Sequence, residues 1–342
     1  MSTDAATDGV RLLSQRPSVL SKVEAFVRPT DPAGDELLLV GPGWETRLKA
    51  LLGSLSHGER ASLFAVRAQD PDGLPLPADV VLARARTDWF PNFLSVGQMV
   101  PHFQPIVDLA SGRPIGREAL IRGRMGATEL RGGELVAAAE AHDALFSFDT
   151  RARTAALQIG LPLMPAGEVL FVNLEPRAVI DVDVCVRSTW TAVERAGVAD
   201  AVIGLEFVHP ERCPDMNVLA SLASANRERG AKIVLDDLSG GGESLACLEA
   251  VRPDLAKLDG VFLEGVETSP ARRRLVAAIV ECAHEQGCRV VAEGVERRTQ
   301  FEAVRDLGVD YGQGFYFGQP TGQPLEVDAR LVRGALGVAE PV

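Results

Sequence analysis

Acidic, amide and lysine side chains stand where short apolar segments of this sequence end. The clearest example is KIVLDD, residues 232–237, in which an apolar run is followed directly by two carboxylates, Asp236 and Asp237. Two adjacent negative charges repel each other, so a chain that places them at the end of a buried strand usually neutralises them. Comparable positions in other apolar segments hold Asn173, Glu206, Lys257, Glu293 and Gln313.

Carboxylate and amide oxygens without histidine or cysteine form a hard-oxygen set of donors. Such a set favours Mg²⁺ or Mn²⁺ over zinc, and a divalent cation would offset the repulsion between Asp236 and Asp237. The alternative explanation is that strand ends are often polar because loops begin there. A single polar strand end would carry no information, but several carboxylates together with one lysine are harder to explain in that way.

The segments that carry these residues alternate with helical stretches, which is the pattern of an α/β domain. The apolar runs are FQPIVDL (103–109), EVLFVNL (168–174), AVIGLEFV (201–208), KIVLDD (232–237), LAKLD (255–259), RVVAEG (289–294) and GQGFYFG (312–318). In a parallel (β/α) barrel the carboxyl ends of the strands meet on one face, where catalytic groups gather. A barrel would therefore bring polar residues that are distant in the sequence to one place.

Composition and charge argue against several classes of protein. The chain has 342 residues, enough for a large domain and a smaller one, and its net charge of −12 argues against a general binder of nucleic-acid backbones. No apolar stretch approaches the roughly 18–20 residues that span a bilayer. The polar, acidic start MSTDAATDGV is unlike a signal peptide. We therefore expect a cytoplasmic protein without a membrane span.

Common catalytic and metal-binding motifs are also missing from the sequence. The five cysteines are odd in number and contain no C-x-x-C pair, which argues against a disulfide framework or a zinc knuckle. The sequence has no H-E-x-x-H, no G-K-[ST] ending of a phosphate-binding loop and no G-x-S-x-G nucleophile elbow. These absences remove most of the common classes of hydrolase.

Residues 1–86 differ from the rest and are predicted to form a small N-terminal α+β module. A strand-like ELLLVG (36–41) precedes a predicted helical segment at 45–64, and the proline-rich QDPDGLPLPAD (69–79) suits a connector. The module carries no chemical motif. Its predicted role is sensory, dimerising or bracing, and the sequence does not identify a ligand for it.

The remaining segments resemble a known family in order and spacing. FQPIVDLASGRPIGREALIRG (103–123) resembles the opening of the EAL domain, the cyclic-di-GMP phosphodiesterase family, and Glu118-Ala119-Leu120 is its signature triplet. Further matching motifs are FVNLEP (171–176), LEF (205–207), VLDDLSGG (234–241), LAKLDG (255–260), VVAEGVE (290–296) and DYGQGFYFGQP (310–320). The resemblance implies a modified (β/α)8 TIM-type barrel over residues 87–335 and the hydrolysis of cyclic di-GMP to linear pGpG.

The resemblance also implies a role for single residues. The ligands of one Mg²⁺ or Mn²⁺ would be Glu118, Asn173, Glu206 and Asp236. Asp237 would serve a second ion, with Asp236 between the two and Glu293 nearby, while Lys257 would hold the attacking water and Gln313 would orient groups near the metals. Gln104 and Arg122 would contact the dinucleotide. Two such ions can lower the pKa of a bound water and clamp a phosphodiester for in-line attack. Without the resemblance, Glu118 would be interpreted as an acidic residue on a surface helix.

The sequence departs from the family motif around one loop. Leu238-Ser239-Gly240-Gly241 stands where the family has Phe-Gly-Thr-Gly, and His209 replaces a glutamate that braces this loop. A neutral histidine accepts a hydrogen bond through only one nitrogen, and extra glycine increases the entropy lost on ordering. We predict weaker binding of the second metal or of the substrate. Losing a brace of about 1–3 kcal/mol would lower the rate roughly tenfold to a hundredfold. Ser239 and Glu296 are the other residues assigned to control of this loop.

Two alternatives to a phosphodiesterase remain open at this point. A catalytically weak EAL domain would act as a receptor for cyclic di-GMP, and a scaffold would keep the barrel only for contacts with partners. Synthesis of cyclic di-GMP is not predicted, because GGGESL lacks the acidic-acidic-Phe core of a cyclase motif. The expected partners are cyclic di-GMP and, as is common in the family, a second copy of the chain; no DNA or RNA polymer is expected.

Overall fold

The structure is a computed structural model that describes residues 8–27, 37–238 and 241–328, without the side chain of Asp237. Its residues fall into two compact units, one made of residues up to 96 with 133–144, and the other of 97–132 and the chain from 145 onwards. The domain boundary predicted after residue 86 lies within the first unit and remains a prediction. The predicted barrel end at 335 lies outside the described residues.

The secondary structure alternates between strands and helices, as expected. The strands are β1 (Gly9–Ser14), β2 (Leu37–Val40), β3 (Leu63–Arg67), β4 (Leu76–Pro77), β5 (Gln98–Asp108), β6 (Pro114–Met125), β7 (Thr128–Arg131), β8 (Val169–Leu174), β9 (Ile203–Phe207), β10 (Lys232–Leu238), β11 (Leu255–Leu258), β12 (Arg289–Ala292) and β13 (Tyr311–Gln313). The α-helices are α1 (Pro17–Phe26), α2 (Trp44–Ser54), α3 (His57–Arg60), α4 (Ala78–Arg86), α5 (Phe90–Val96), α6 (Gly132–Ala141), α7 (Leu145–Gly160), α8 (Val182–Ala196), α9 (Met216–Arg227), α10 (Gly242–Val251), α11 (Pro270–Glu285) and α12 (Arg298–Asp306).

The first unit is built on an antiparallel sheet in the order β2-β1-β3-β4. The strand predicted at 36–41 is confirmed as β2. The helix predicted at 45–64 is correct only in part, because α2 ends at Ser54, the short α3 follows, and β3 begins at Leu63. In β3 Leu63 and Ala65 are buried while Phe64 is exposed, and this alternation suits a strand that pairs with β1.

The second unit is a closed barrel, which confirms the predicted fold class. Its nine-stranded sheet has the order β5-β13-β12-β11-β10-β9-β8-β6-β7, and a further pairing of β5 with β6 closes it. Strand β6 pairs parallel with β8, and each neighbouring pair of strands from β8 to β13 is also parallel. By contrast, β5 pairs antiparallel with both β6 and β13. The inverted β5 makes this a modified (β/α)8 barrel. Within the described residues, no helix is long and apolar enough to cross a membrane.

The barrel interior has an apolar layer directly beneath the predicted site. This layer is a buried cluster of Ile106, Phe171, Val234, Leu255 and Val291, against which Ile115, Val169 and Tyr311 pack. Because side chains alternate along a strand, the residue two positions further on points the same way. The positions two residues beyond Phe171, Val234, Leu255, Val291 and Tyr311 are Asn173, Asp236, Lys257, Glu293 and Gln313. Strand β5 runs in the opposite direction, so its corresponding polar residue, Gln104, stands two positions before Ile106 rather than after it.

The structure differs from the predicted segments at two places. Strand β6 was not among the predicted apolar runs, and Glu118 lies on this strand with only 4% of its surface exposed, which excludes the alternative of a surface helix. The segment 312–318 is a strand only up to Gln313. Gly314 then takes a φ of 151°, and a side chain there would meet the backbone of Val295 at 2.2 Å. That close approach ends the strand and turns the chain.

Glycine at position 204 makes room for the largest residue of the apolar layer. A Cβ on Gly204 would lie 2.2 Å from Cδ1 of Phe171, which is its neighbour in the register of β8 and β9. We expect Gly204→Ala to lower the free energy of unfolding by about 1–3 kcal/mol through overpacking. Urea denaturation measures this change, and Phe171→Leu in the same chain should recover part of it.

The matched control is Gly242→Ala at the start of α10, where an added Cβ meets no atom of the described residues within 4 Å. This variant should change the free energy of unfolding by less than about 1 kcal/mol. Equal destabilisation by both substitutions would contradict the packing argument.

Candidate active site

Lys257 on β11 lies at the centre of a buried cluster of four carboxylates. Its Nζ is 2.6 Å from Glu293 Oε1, 3.0 Å from Glu206 Oε2 and 3.1 Å from Glu118 Oε2. Asp236 Oδ1 is farther away, at 3.5 Å. The side chains of Lys257 and Glu206 are 2% and 0% exposed. An ammonium group is strongly disfavoured in an apolar interior unless carboxylates accompany it, so these four residues explain how a barrel strand can carry a lysine.

Glu118 is held in place by amide side chains from two other strands, β8 and β13. Asn173 Nδ2 donates to Glu118 Oε1 at 3.0 Å, and Gln313 Nε2 donates to Glu118 Oε2 at 2.7 Å. Gln313 also donates to Gln104 Oε1 at 3.1 Å, and Gln104 Nε2 donates to the carbonyl of Gly318 at 3.1 Å. This chain of hydrogen bonds fixes the orientation of the Glu118 carboxylate.

Several oxygens of the cluster are buried and accept no hydrogen bond within the described residues. They are Asn173 Oδ1, Glu206 Oε1, Asp236 Oδ1 and Gln313 Oε1. Buried polar atoms are nearly always satisfied, so such oxygens require an explanation. A hard divalent cation accepts donors of this type, and the residues present therefore fit Mg²⁺ or Mn²⁺ in chemical character.

The carboxylates converge on the ammonium of Lys257 in this arrangement. Among the described residues, no group of three acidic, histidine or cysteine side chains is arranged closely enough to surround one ion. Asp237 lies on β10 next to Asp236, but its side chain is outside the described part of the structure.

Four other predicted residues are not part of this cluster. The structure places three of them elsewhere and does not describe the fourth. Arg122 is on β6, and its Nη1 donates to the carbonyl of Ile121 at 3.0 Å. His209 follows β9 in a left-handed conformation, with φ 48°, at the start of a short 3-10 helix. Glu296 is exposed, and Ser239 lies outside the described residues. The proposed contact of Arg122 with substrate and the roles in loop control remain predictions.

Comparison with known proteins identifies the family. The family model described as "EAL domain" matches residues 87–320, which is more than half of the chain. The chain belongs to the EAL domain family. The sequence is 29% identical over 232 residues to the cyclic di-GMP phosphodiesterase NbdA of Pseudomonas aeruginosa, an alignment covering 65% of this chain and 29% of NbdA. The chain spans less than half of the length of the curated relatives that it matches.

Solved structures of EAL proteins share the fold. A standalone EAL protein from Vibrio cholerae O395, solved with cyclic di-GMP bound, has a TM-score of 0.60 at 22% identity, covering 68% of this chain and 97% of that one. The manganese and cyclic-di-GMP complex of Klebsiella pneumoniae BlrP1 has a TM-score of 0.58 at 26% identity, covering 73% of this chain and 67% of BlrP1. Some relatives of this EAL domain have therefore been crystallised with a divalent metal and the dinucleotide.

The electrostatics of the EAL cluster keep Lys257 charged. Burial alone would lower the pKa of Lys257, but the four carboxylates around it outweigh burial and raise that pKa well above its ordinary value. Burial alone would raise the pKa of Glu118, yet the charge of Lys257 and the bonds from the amides leave it lowered. Lys257 is therefore a fixed positive charge and cannot act as a general base near neutral pH.

Two other carboxylates in the cluster hold protons more readily than usual. Burial and the nearby charge of Glu118 raise the pKa of Glu206 well above its ordinary value, although Lys257 opposes the shift. Burial likewise raises the pKa of Glu293 to about 7 against the effect of Lys257. A cation that binds to these oxygens must displace such protons, so metal affinity at this site is coupled to pH.

A second buried network, which the sequence did not predict, lies beside the cluster. Asp149 and Arg153 form an ion pair on α7, with 3.0 Å between Asp149 Oδ2 and Arg153 Nη2. Asp149 Oδ1 also accepts the backbone N–H of Glu175, just after β8, at 2.9 Å. The sequence feature that could have indicated this ion pair is an acidic and a basic residue four positions apart within the otherwise largely apolar helix 145–160.

Replacing Lys257 by methionine tests its electrostatic role. Lys257→Met leaves Glu118 and Glu206 buried without a counter-ion, so we expect the free energy of unfolding to fall by about 3–5 kcal/mol at pH 8. Carboxylates with raised pKa values bind protons in the folded state that they lack in the unfolded state, so stability falls as pH rises through those values. The loss should therefore be smaller at pH 5.5. Urea denaturation in a chelator at both pH values measures it.

Lys232→Met is the control, because Lys232 is half exposed and pairs with Asp254 at 3.3 Å. Its effect should be below about 1 kcal/mol at either pH. If Lys257→Met were equally destabilising at pH 5.5 and pH 8, the proposed counter-ion role of Lys257 would be wrong.

Proposed function

We propose that this chain is a divalent-metal-dependent phosphodiesterase that hydrolyses cyclic di-GMP to linear pGpG. The observation that carries the proposal is the convergence of Glu118, Glu206, Asp236 and Glu293 on Lys257, with unsatisfied buried oxygens beside them. The proposal is supported by membership of the EAL family and by NbdA, a relative named as a cyclic di-GMP phosphodiesterase. Hydrolysis of a phosphodiester needs charge neutralisation and positioning rather than a covalent nucleophile.

The donor set proposed for the metal consists of oxygens from four strands. Glu118, Asn173, Glu206 and Asp236 would hold one Mg²⁺ or Mn²⁺, and Asp237 would serve a second ion. A bound divalent ion supplies a water of lowered pKa and neutralises charge on the phosphate. The manganese complex of BlrP1 supports this choice of metal class, and the number of ions belongs to the proposal.

The other residues of the cluster would orient the reacting groups and stabilise the charge that develops on the phosphate. Lys257 would place the attacking water by donating a hydrogen bond, and its fixed charge would offset the negative charge that develops on the phosphate. Gln313 would keep the Glu118 carboxylate in one orientation, as its 2.7 Å hydrogen bond suggests. Glu293, whose pKa is raised to about 7, would accept a proton near the reacting water. Gln104 and Arg122 would contact the dinucleotide.

The changed loop after Asp237 leads us to propose a reduced rate. His209 takes the place of a bracing glutamate, and Ser239 with its neighbouring glycines replaces the family's loop residues. A weaker brace of about 1–3 kcal/mol would lower kcat/KM roughly tenfold to a hundredfold relative to an EAL enzyme with the full motif. An EAL phosphodiesterase whose sequence keeps the Phe-Gly-Thr-Gly loop, assayed under the same conditions, provides the reference. Cytoplasmic location, homodimerisation and a regulatory role for residues 1–86 are further proposals.

The decisive experiment is an incubation of the purified chain with cyclic di-GMP in Mn²⁺ or Mg²⁺, with pGpG measured by chromatography. Product should form, and Glu118→Ala and Lys257→Ala should each lower kcat/KM by at least about a hundredfold, because each removes a charge from the centre of the site. Binding of cyclic di-GMP without product in either metal would favour a receptor and overturn the enzyme proposal.

The matched control is Glu285→Gln, which removes a carboxylate from the exposed end of α11. Its kcat/KM should stay within about twofold of the wild type. A large loss in this variant would show that overall charge, rather than the cluster around Lys257, governs the measured rate.

A further inference from the structure

A second buried polar network lies beside the end of β8. Asp149 and Arg153 are one helical turn apart on α7, and their surfaces are only 8% and 2% exposed. Arg153 Nη2 donates to Asp149 Oδ2 at 3.0 Å. Arg153 Nη1 donates at 2.7 Å to the hydroxyl of Thr189 on α8, which in turn donates to the carbonyl of Cys185 at 2.9 Å. The hydrogen bond from Arg153 to Thr189 thus joins α7 to α8.

The same network holds the chain where it leaves β8. The second oxygen of Asp149 accepts the backbone N–H of Glu175 at 2.9 Å. Glu175 follows Asn173 by two residues and begins the short 3-10 helix Pro176–Ala178. Its carboxylate accepts from Arg177 Nε at 2.9 Å and Nη2 at 2.8 Å, while its backbone N–H donates to Asp149. The turn after Asn173 is therefore anchored to α7 through one carboxylate.

Asn173 is sensitive to the position of this turn because its amide is hydrogen-bonded at one end and buried at the other. Nδ2 donates to Glu118 at 3.0 Å, and Oδ1 is buried without a hydrogen-bond partner among the described residues. Only Leu174 separates Asn173 from the anchored N–H of Glu175. A small movement of the turn would therefore change the direction of Asn173 Oδ1, an oxygen proposed to bind metal.

A buried ion pair is weak evidence for stability by itself. Replacing such a pair by apolar residues of similar size is often neutral or stabilising, because both charges lose hydration on burial. The directional hydrogen bonds of Asp149 offer what apolar packing does not, namely a fixed position for one backbone N–H. Residues behind metal ligands orient those ligands and commonly govern affinity.

We propose that Asp149, held by Arg153 and Thr189, is a positioning residue that sets the orientation of Asn173 and hence the affinity of the site for a divalent cation. The inference rests on the proposed function, since it takes Asn173 as a metal ligand. Asp149 contacts neither metal nor substrate in this scheme and acts only through the turn at Glu175.

The test compares two ion pairs that lie near opposite ends of β8. The double variant Asp149→Leu/Arg153→Met replaces the pair near the carboxyl end of β8. The control Arg117→Met/Glu168→Leu replaces the pair at its amino end, where Arg117 Nε lies 2.8 Å from Glu168 Oε2. Mn²⁺ affinity is measured by calorimetry on substrate-free protein, thermal unfolding without metal gives the midpoint, and pGpG formation gives kcat and KM.

The Asp149 double variant should bind Mn²⁺ about tenfold more weakly, and raising Mn²⁺ should restore its kcat. The Arg117 control should keep its Mn²⁺ affinity within about twofold of the wild type, whatever its unfolding midpoint. Asp149→Asn retains an oxygen that can accept from Glu175 and should bind Mn²⁺ within about threefold of the wild type. Unchanged Mn²⁺ affinity in the Asp149 double variant would overturn the inference.

Thr189→Val is the milder substitution if the double variant does not fold. It removes only the hydroxyl that accepts from Arg153 and should weaken Mn²⁺ binding severalfold, by about a factor of three; unchanged affinity would count against the positioning role. A wild-type chain that binds no Mn²⁺ would overturn the proposed function itself. A wild type that binds Mn²⁺ and forms pGpG, with variants that match it, would overturn only the role of Asp149.

Discussion

The ion pairs between Lys257 and its surrounding carboxylates constrain the whole second unit. An ammonium group in the middle of a barrel stays charged because carboxylates surround it, and for Glu118 the charge of the ammonium helps to outweigh burial and lowers the pKa of that carboxylate. Each partner comes from a different strand: Glu118 from β6, Glu206 from β9, Asp236 from β10, and Glu293 from the end of β12. The cluster thus exists only when the barrel is closed in the correct register. Correct strand pairing brings the charges together, and the charges are compatible only with that pairing.

The register of the strands converts distant sequence positions into neighbours. The apolar layer that contains Phe171, Val234 and Leu255 fills the barrel below, and the polar layer follows two residues later on the same strands. A shift of one residue in any strand would turn its polar side chain out of the barrel and an apolar one in. The glycine at 204 belongs to the same constraint, because it leaves the space that the ring of Phe171 occupies.

The sequence predicted most of the barrel because its strands are buried and end in polar residues, a pattern visible without a structure. It did not predict β6, since PIGREALIRGRM contains charged residues whose partners are far away in the sequence. The environment of Glu118 depends on those partners. The Asp149–Arg153 pair was invisible for the same reason: its significance comes from the backbone N–H of Glu175, which only the packing of α7 against β8 brings within reach. In the first unit, the predicted helix at 45–64 was wrong at its end, because the residues from Leu63 onwards pair with β1 as strand β3.

The apolar layer beneath the cluster has an electrical consequence. Ile106, Phe171, Val234, Leu255 and Val291 separate the charged residues from the opposite mouth of the barrel. Material of low polarisability on that side cannot reorganise around the charges, so field lines from the cluster spread mainly towards the open face. An incoming ion or phosphate at the open face therefore experiences the potential of the cluster at short range and with little screening from the layer behind it.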